Sequence, residues 1–147
     1  MTVVALLGPA RRRFFMPPST KKPCRPEPRH PDERHSFGRD GEDAAEAFLS
    51  RLGFDILGRN VRTSAGEIDL VALDGDVVVF VEVKARRRGG ALEAVDARKQ
   101  RRLSLLAMAF LARAGWLACP ARFDVVGVDA EGACTHVINA FDCAPDR

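Results

Sequence analysis

The chain has 147 residues, 46% of them apolar and 29% charged, the balance of one soluble globular domain. Its longest apolar run, Leu103 to Ala112 broken only by Ser104, is too short to cross a bilayer, and Val3 to Leu7 lacks both the length and the preceding basic residues of a signal peptide. A cytoplasmic location with no membrane partner is expected. The net charge of +3 divides into +5 over residues 1–37 and −2 over residues 38–147, so only local clusters can argue for a nucleic-acid partner.

Residues 1–37 hold seven of the nine prolines together with Arg11-Arg12-Arg13 and Lys21-Lys22. That composition cannot bury a core, and the segment reads as a disordered basic arm. Such an arm can touch phosphates; a solvated tail, or a true start at Met16 or later, are the plainer alternatives. A single domain over 38–147 follows. In it, Asp40 is placed to cap a helix whose apolar stripe is Ala45, Phe48, Leu49 and Leu52, with Gly53 ending it. Strands are expected over 54–61, 67–73 and 77–84, the last two joined by a hairpin at Asp74-Gly75-Asp76. A basic loop, Arg86 to Gly90, leads to a long helix from Asp96 to about Ala114, with Leu103, Leu106, Ala107 and Phe110 on one face and Gly115 closing it. Strands over 122–129 and 134–141 complete the order α-β-β-β-α-β-β, an α/β fold with the last strand at an edge. The cysteines Cys24, Cys119, Cys134 and Cys143 form no CxxC pair and read as reduced thiols rather than zinc ligands. Trp116 and His136 read as structural.

Chemistry concentrates in the hairpin. Glu82 and Lys84 share a face of the third strand, and Val79, Val81 and Val83 take the other, expected to be the buried one. A two-residue turn at Asp74-Gly75 sets Asp69 diagonal to Glu82, and one at Gly75-Asp76 sets them directly opposite. A three-residue loop, or a bulge, separates them. Two carboxylates at cross-strand distance repel unless a cation lies between them, and Mg²⁺ or Mn²⁺ with oxygen ligands is the fitting one. Such an ion polarises a phosphoryl oxygen and acidifies a bound water. Lys84 is placed to hold that water or to stabilise developing phosphorane charge. An exposed strand face neutralised by Asp, Glu and Lys is the competing interpretation. Glu42 extends the apolar stripe of the first helix and so points to the core or its rim, or else merely favours the positive end of the helix dipole. Glu67 shares the parity of Asp69 but suits a rim position equally.

The run GEIDLVALDGDVVVFVEVKARR, followed by AVDARKQRRL and RFDVVGVD, resembles the YraN-like family of small bacterial proteins, a branch of the restriction-endonuclease-like PD-(D/E)xK superfamily near the Holliday-junction resolvases. The resemblance covers roughly residues 38–141. It implies a restriction-endonuclease-like core, a mixed central sheet flanked by helices, and Mg²⁺- or Mn²⁺-dependent hydrolysis of DNA, with branched or structured substrates included. By position it makes Asp69 and Glu82 metal ligands, joined by the Val83 carbonyl, and sets Lys84 near the attacking water. It places Glu42 where resolvase-like members have a helical glutamate, and Gln100 where related nucleases carry a polar active-site residue. Resolvase-like cutting further implies a homodimer.

Eight Lys/Arg and two acidic residues lie between Lys84 and Arg102. Arg86, Arg87 and Arg88 are expected at the mouth of the site, and Arg98, Lys99, Arg101 and Arg102 on the next helix, as phosphate contacts. Basic residues at a helix start oppose its dipole, which argues against their being mere solvated charge. A non-catalytic nucleic-acid-binding or partner-docking module is the alternative function.

Overall fold

The computed structural model describes residues 33–63, 65–85 and 94–143, with 33–39 described by backbone alone. Two helices and five strands follow in the order α1 (Glu33–Arg51), β1 (Asp55–Thr63), β2 (Gly66–Asp74), β3 (Val77–Ala85), α2 (Ala97–Ala114), β4 (Ala121–Val128) and β5 (Cys134–Phe141). This is the α-β-β-β-α-β-β order expected from the sequence, in an α/β fold. The strands form one mixed sheet in chain order, with β1 and β5 at its edges. Every neighbouring pair is antiparallel except β3 and β4, which are parallel and therefore need the crossover that α2 supplies.

Each helix covers one face. Ala45 and Leu49 of α1 pack on Leu70, Ala72, Val79, Val81, Val126 and Val128. Leu103, Leu106, Ala107 and Leu111 of α2 pack on Ile68, Val71, Val78, Phe80, Phe123 and Val125. The central strand β3 is thus buried on both faces, not only on the side of Val79 and Val81. Val78 and Phe80 are sealed under α2, and Val83 is only half-buried. Parallel pairing with β4 makes β3 an interior strand, which a reading of the hairpin by itself does not reveal.

Two expectations about α1 need correction. The helix starts at Glu33, so Asp40 lies inside it as an exposed residue rather than at its cap, and α1 takes in the last residues assigned to the arm. Leu52 is 55% exposed, because the helix has ended before it and Gly53, with φ 91°, turns the chain into β1. The ends of α2 are as expected. The Asp96 carboxylate accepts from the Lys99 N–H at 2.8 Å, and Gly115 closes the helix in the left-handed conformation. Trp116 packs against the core edge-on to Phe110. Residues 1–32 and the Arg86–Gly90 loop, with Arg86, Arg87 and Arg88, lie outside the described residues. Among the described residues no helix is long and apolar enough to cross a membrane.

Candidate functional site

The hairpin turn resolves the register. Asp74 pairs with Val77, leaving Gly75-Asp76 as a two-residue turn whose first residue has the positive φ of 60° that glycine supplies. Pairing runs on to Leu70 opposite Val81 and stops there. Beyond that point the strands part. Gly66 to Ile68 stay with β1, whereas Glu82 to Ala85 stay with β4. Asp69 and Glu82, the next opposed positions, stand at the crotch of this fork.

The Asp69 side chain bridges the fork. Its Oδ2 accepts the Val83 N–H at 2.8 Å, taking the place of the ladder bond that the parting strands no longer make. The alternation of β2 also breaks here. Ile68 packs in the α2 layer and Leu70, two residues on, in the α1 layer. Parity alone therefore does not fix the direction of Asp69. Across β1 the matching irregularity is Asn60, a non-glycine residue at φ 46° between the pairs Arg59–Leu70 and Val61–Ile68. Asparagine tolerates this region better than most side chains, and such strain is retained where the surroundings impose it. Its Nδ2 donates to Glu42 Oε2 at 2.8 Å, which ties α1 to the fork.

Charge is concentrated at this point. Glu82 is 8% exposed, and its Oε1 is ion-paired with the Lys99 ammonium from α2. Asp69 is held up to about 7, first because burial disfavours its charged form and then because Glu82 repels it, with Glu42 adding a smaller push; the Val83 N–H and Lys99 act in the opposite sense. Glu82 is therefore close enough to Asp69 to oppose its ionisation. Glu42 joins this field from α1 but is bound to Asn60 and lies 3.8 Å from the Arg59 guanidinium.

The remaining predicted residues divide. Lys84 Nζ donates to the Ala94 carbonyl at 3.5 Å, at the entry to α2. Gln100 donates its side-chain amide to the Val95 carbonyl at 2.7 Å, so that amide braces the start of α2. Arg98, Arg101 and Arg102 are exposed on the first turns of α2, and the Arg102 guanidinium lies against Gly66 at the open end of β2. Lys99, expected among the phosphate contacts, is turned inward to Glu82. Glu67 is a rim residue, accepting from Arg62 Nε on the neighbouring strand at 2.7 Å. Among the described residues no three His, Cys, Asp or Glu side chains gather tightly enough to hold an ion by themselves. The donor set at the fork is two carboxylates, which suits Mg²⁺, an ion that keeps several waters and takes its other oxygens from substrate.

A second polar cluster was not anticipated. Asp124 of β4, fully buried, accepts from Arg122 Nε and NH2 at 3.0 and 3.1 Å and from the Asn139 N–H at 2.9 Å, and pairs with His136 Nε2 at 2.9 Å. Arg122 continues to Asp74 at 2.9 Å and lies over the Phe54 ring. The pairing of β4 with β5 slips between Phe123 and Val125, so Asp124 sits at a bulge. Among the described residues no buried side-chain nitrogen or oxygen lacks a hydrogen-bond partner, and this cluster has the pattern of a structural clamp. His136 is structural, as expected.

A model of the family described as "Uncharacterised protein family UPF0102" matches residues 41–128, which spans both helices' packing faces and the whole fork. The chain belongs to the UPF0102 family. A UPF0102 protein of Symbiobacterium thermophilum is 52% identical over 111 residues, covering 71% of this chain and 94% of its own. Others, from Magnetococcus marinus and Pseudomonas aeruginosa, are each 50% identical, covering 69% and 71% of this chain and 85% and 91% of their own. The UPF0102 match therefore takes in Asp69, Glu82, Lys84 and Lys99 together, and excludes the whole proline-rich segment 1–37.

Proposed function

We propose that this protein is a divalent-metal-dependent endonuclease of the restriction-endonuclease-like superfamily, hydrolysing phosphodiester bonds in DNA. The observation that carries the reading is the meeting of Asp69 and Glu82 at the fork between β2 and β3, with one of them driven to about 7 by burial and by the other. A perturbed carboxyl beside a buried acid in a strained corner is the arrangement expected of a functional site rather than a surface ion pair. The sequence motif points the same way.

In this reading Asp69 and Glu82 would hold Mg²⁺ or Mn²⁺. The ion supplies a Lewis acid for a phosphoryl oxygen and a more acidic water. The protein's own groups do the rest. The Val83 N–H fixes the orientation of Asp69. Lys84 follows Glu82 by one pleat and stands beside the entry of α2, from which its flexible stem can reach an incoming phosphate. Arg98, Arg101 and Arg102 receive the nucleic-acid backbone along α2, without reading sequence. Cutting both strands of a branched substrate requires two such sites, hence two copies of the chain.

One observation favours the alternative of a binding module without catalysis: the acids number two, with Glu42 committed to Asn60. The test is incubation with duplex, single-stranded and four-way-junction DNA in Mg²⁺, Mn²⁺ or EDTA. Metal-dependent cutting that disappears in Asp69→Ala and Glu82→Ala is expected. Cutting that survives either change refutes the site, and binding without cutting in every metal favours the module.

A further inference from the structure

We infer that the Lys99 ammonium is the acidic pair's built-in counter-ion, occupying the divalent ion's place at Glu82 in the metal-free protein, and that metal binding drives it out toward the substrate backbone. The inference rests on the metal reading above and concerns how that site is regulated.

Glu82 is buried, and a buried carboxylate without a partner is strongly destabilising. The partner comes from a different element, seventeen residues away in sequence. Lys99 lies in the first turn of α2, which contains no acidic residue and where a positive side chain opposes the helix dipole. Its own N–H is committed to the Asp96 cap, so the backbone there is fixed while the four-carbon stem is free to turn. Among the described residues the carboxylate that this ammonium pairs with is Glu82.

A dication and an ammonium compete for this site. Both would be held by the Glu82 carboxylate, and two cations sharing it in a buried setting would repel strongly. Two ionised carboxylates with Lys99 sum to −1. The same carboxylates with a dication sum to zero, and with both cations to +1 in a place largely shut off from water. The released side chain is already 36% exposed and stands beside Arg98 and Arg102, where a phosphate would be received. Metal binding thus adds one cation to the nucleic-acid face, and the two ligands favour each other.

The test uses the full-length wild-type protein, so it does not depend on a variant folding. Exposed amines are acetylated briefly with an N-hydroxysuccinimide ester, with and without saturating Mg²⁺, and modification is read at each lysine by mass spectrometry, relative to the same lysine in the urea-unfolded protein. Labelling of Lys99 should rise about threefold with Mg²⁺, as for a side chain passing from 36% exposed to free, while labelling of the unfolded protein is the same with and without Mg²⁺. Calorimetric Mg²⁺ titration of two variants supplies the second arm. Lys99→Met should bind about tenfold more tightly than wild type, having no ammonium to displace. Lys99→Arg should bind more weakly, because a guanidinium forks onto the carboxylate. Mg²⁺ binding with unchanged Lys99 labelling, or equal affinity in wild type and Lys99→Arg, overturns the displacement and leaves the metal site standing. No Mg²⁺ binding by wild type or by Lys99→Met overturns both.

Discussion

Replacing Asp69 by Asn should stabilise the metal-free protein at mildly alkaline pH and do little at acid pH. Asn keeps the oxygen that accepts the Val83 N–H but removes the charge that burial and Glu82 oppose. The folded-state pKa of Asp69 is raised, from 3.8 to about 7. Its protonated form therefore contributes stability that is fully present below 3.8, declines as pH rises, and is gone above about 7. At 1.36 kcal/mol per pKa unit the difference is on the order of 4 kcal/mol, a large part of an ordinary domain's stability. The assay is urea unfolding in EDTA across this pH range, followed by the fluorescence of Trp116, the only tryptophan. The advantage of Asp69→Asn over wild type should grow with pH and level off above neutrality. Under the proposed metal site, Mg²⁺ should return to wild type about 2.7 kcal/mol at one hundred times its Kd, and should not help the variant. A difference between the two proteins that is the same at every pH refutes the account of Asp69.

Further outcomes are expected. Glu82→Gln should move the pH-dependent loss of stability to lower pH without abolishing it, since burial is the larger cause and remains. Asp124→Ala should lower stability by about 3–5 kcal/mol in the same urea assay, because it strips the half-buried Arg122 of its buried carboxylate, leaving only the more exposed Asp74, and unpairs His136 and the Asn139 N–H. Leu106→Ala, at a fully buried α2 position, should cost about 2–5 kcal/mol. Changing Arg98, Arg101 and Arg102 together to Gln should lower the slope of log affinity against log salt for duplex DNA by about 2.7 while leaving Mg²⁺ affinity nearly unchanged.

Most elements were legible in the sequence because each has a local physical signature. Asp96 caps α2 and Gly115 ends it; Gly75 permits the hairpin; β5 is bounded as the pattern of residues 134–141 indicates. The start of α1 was not legible, since prolines and arginines upstream suggest an arm while Glu33 to Phe37 already satisfy helical geometry. The second buried face of β3 depends on β4 and α2, which lie outside the hairpin. At the site, the opposition of Asp69 and Glu82 was one of several registers compatible with the turn residues. Its realisation at a fork depends on Asn60 in β1, whose left-handed backbone has no distinctive sequence context. The role of Lys99 is a tertiary contact, invisible until α2 is docked. Asp124 could have been found: an acid in the apolar run from Phe123 to Val128 demands buried partners.

The central claim is that Asp69 and Glu82 together bind a divalent ion. Anomalous diffraction from a Mn²⁺-soaked crystal tests it directly. The expected map has a single strong peak between the two carboxylates, absent in Glu82→Gln, with the Lys99 side chain displaced. A map with no peak at the fork, at Mn²⁺ concentrations that label other sites, contradicts it.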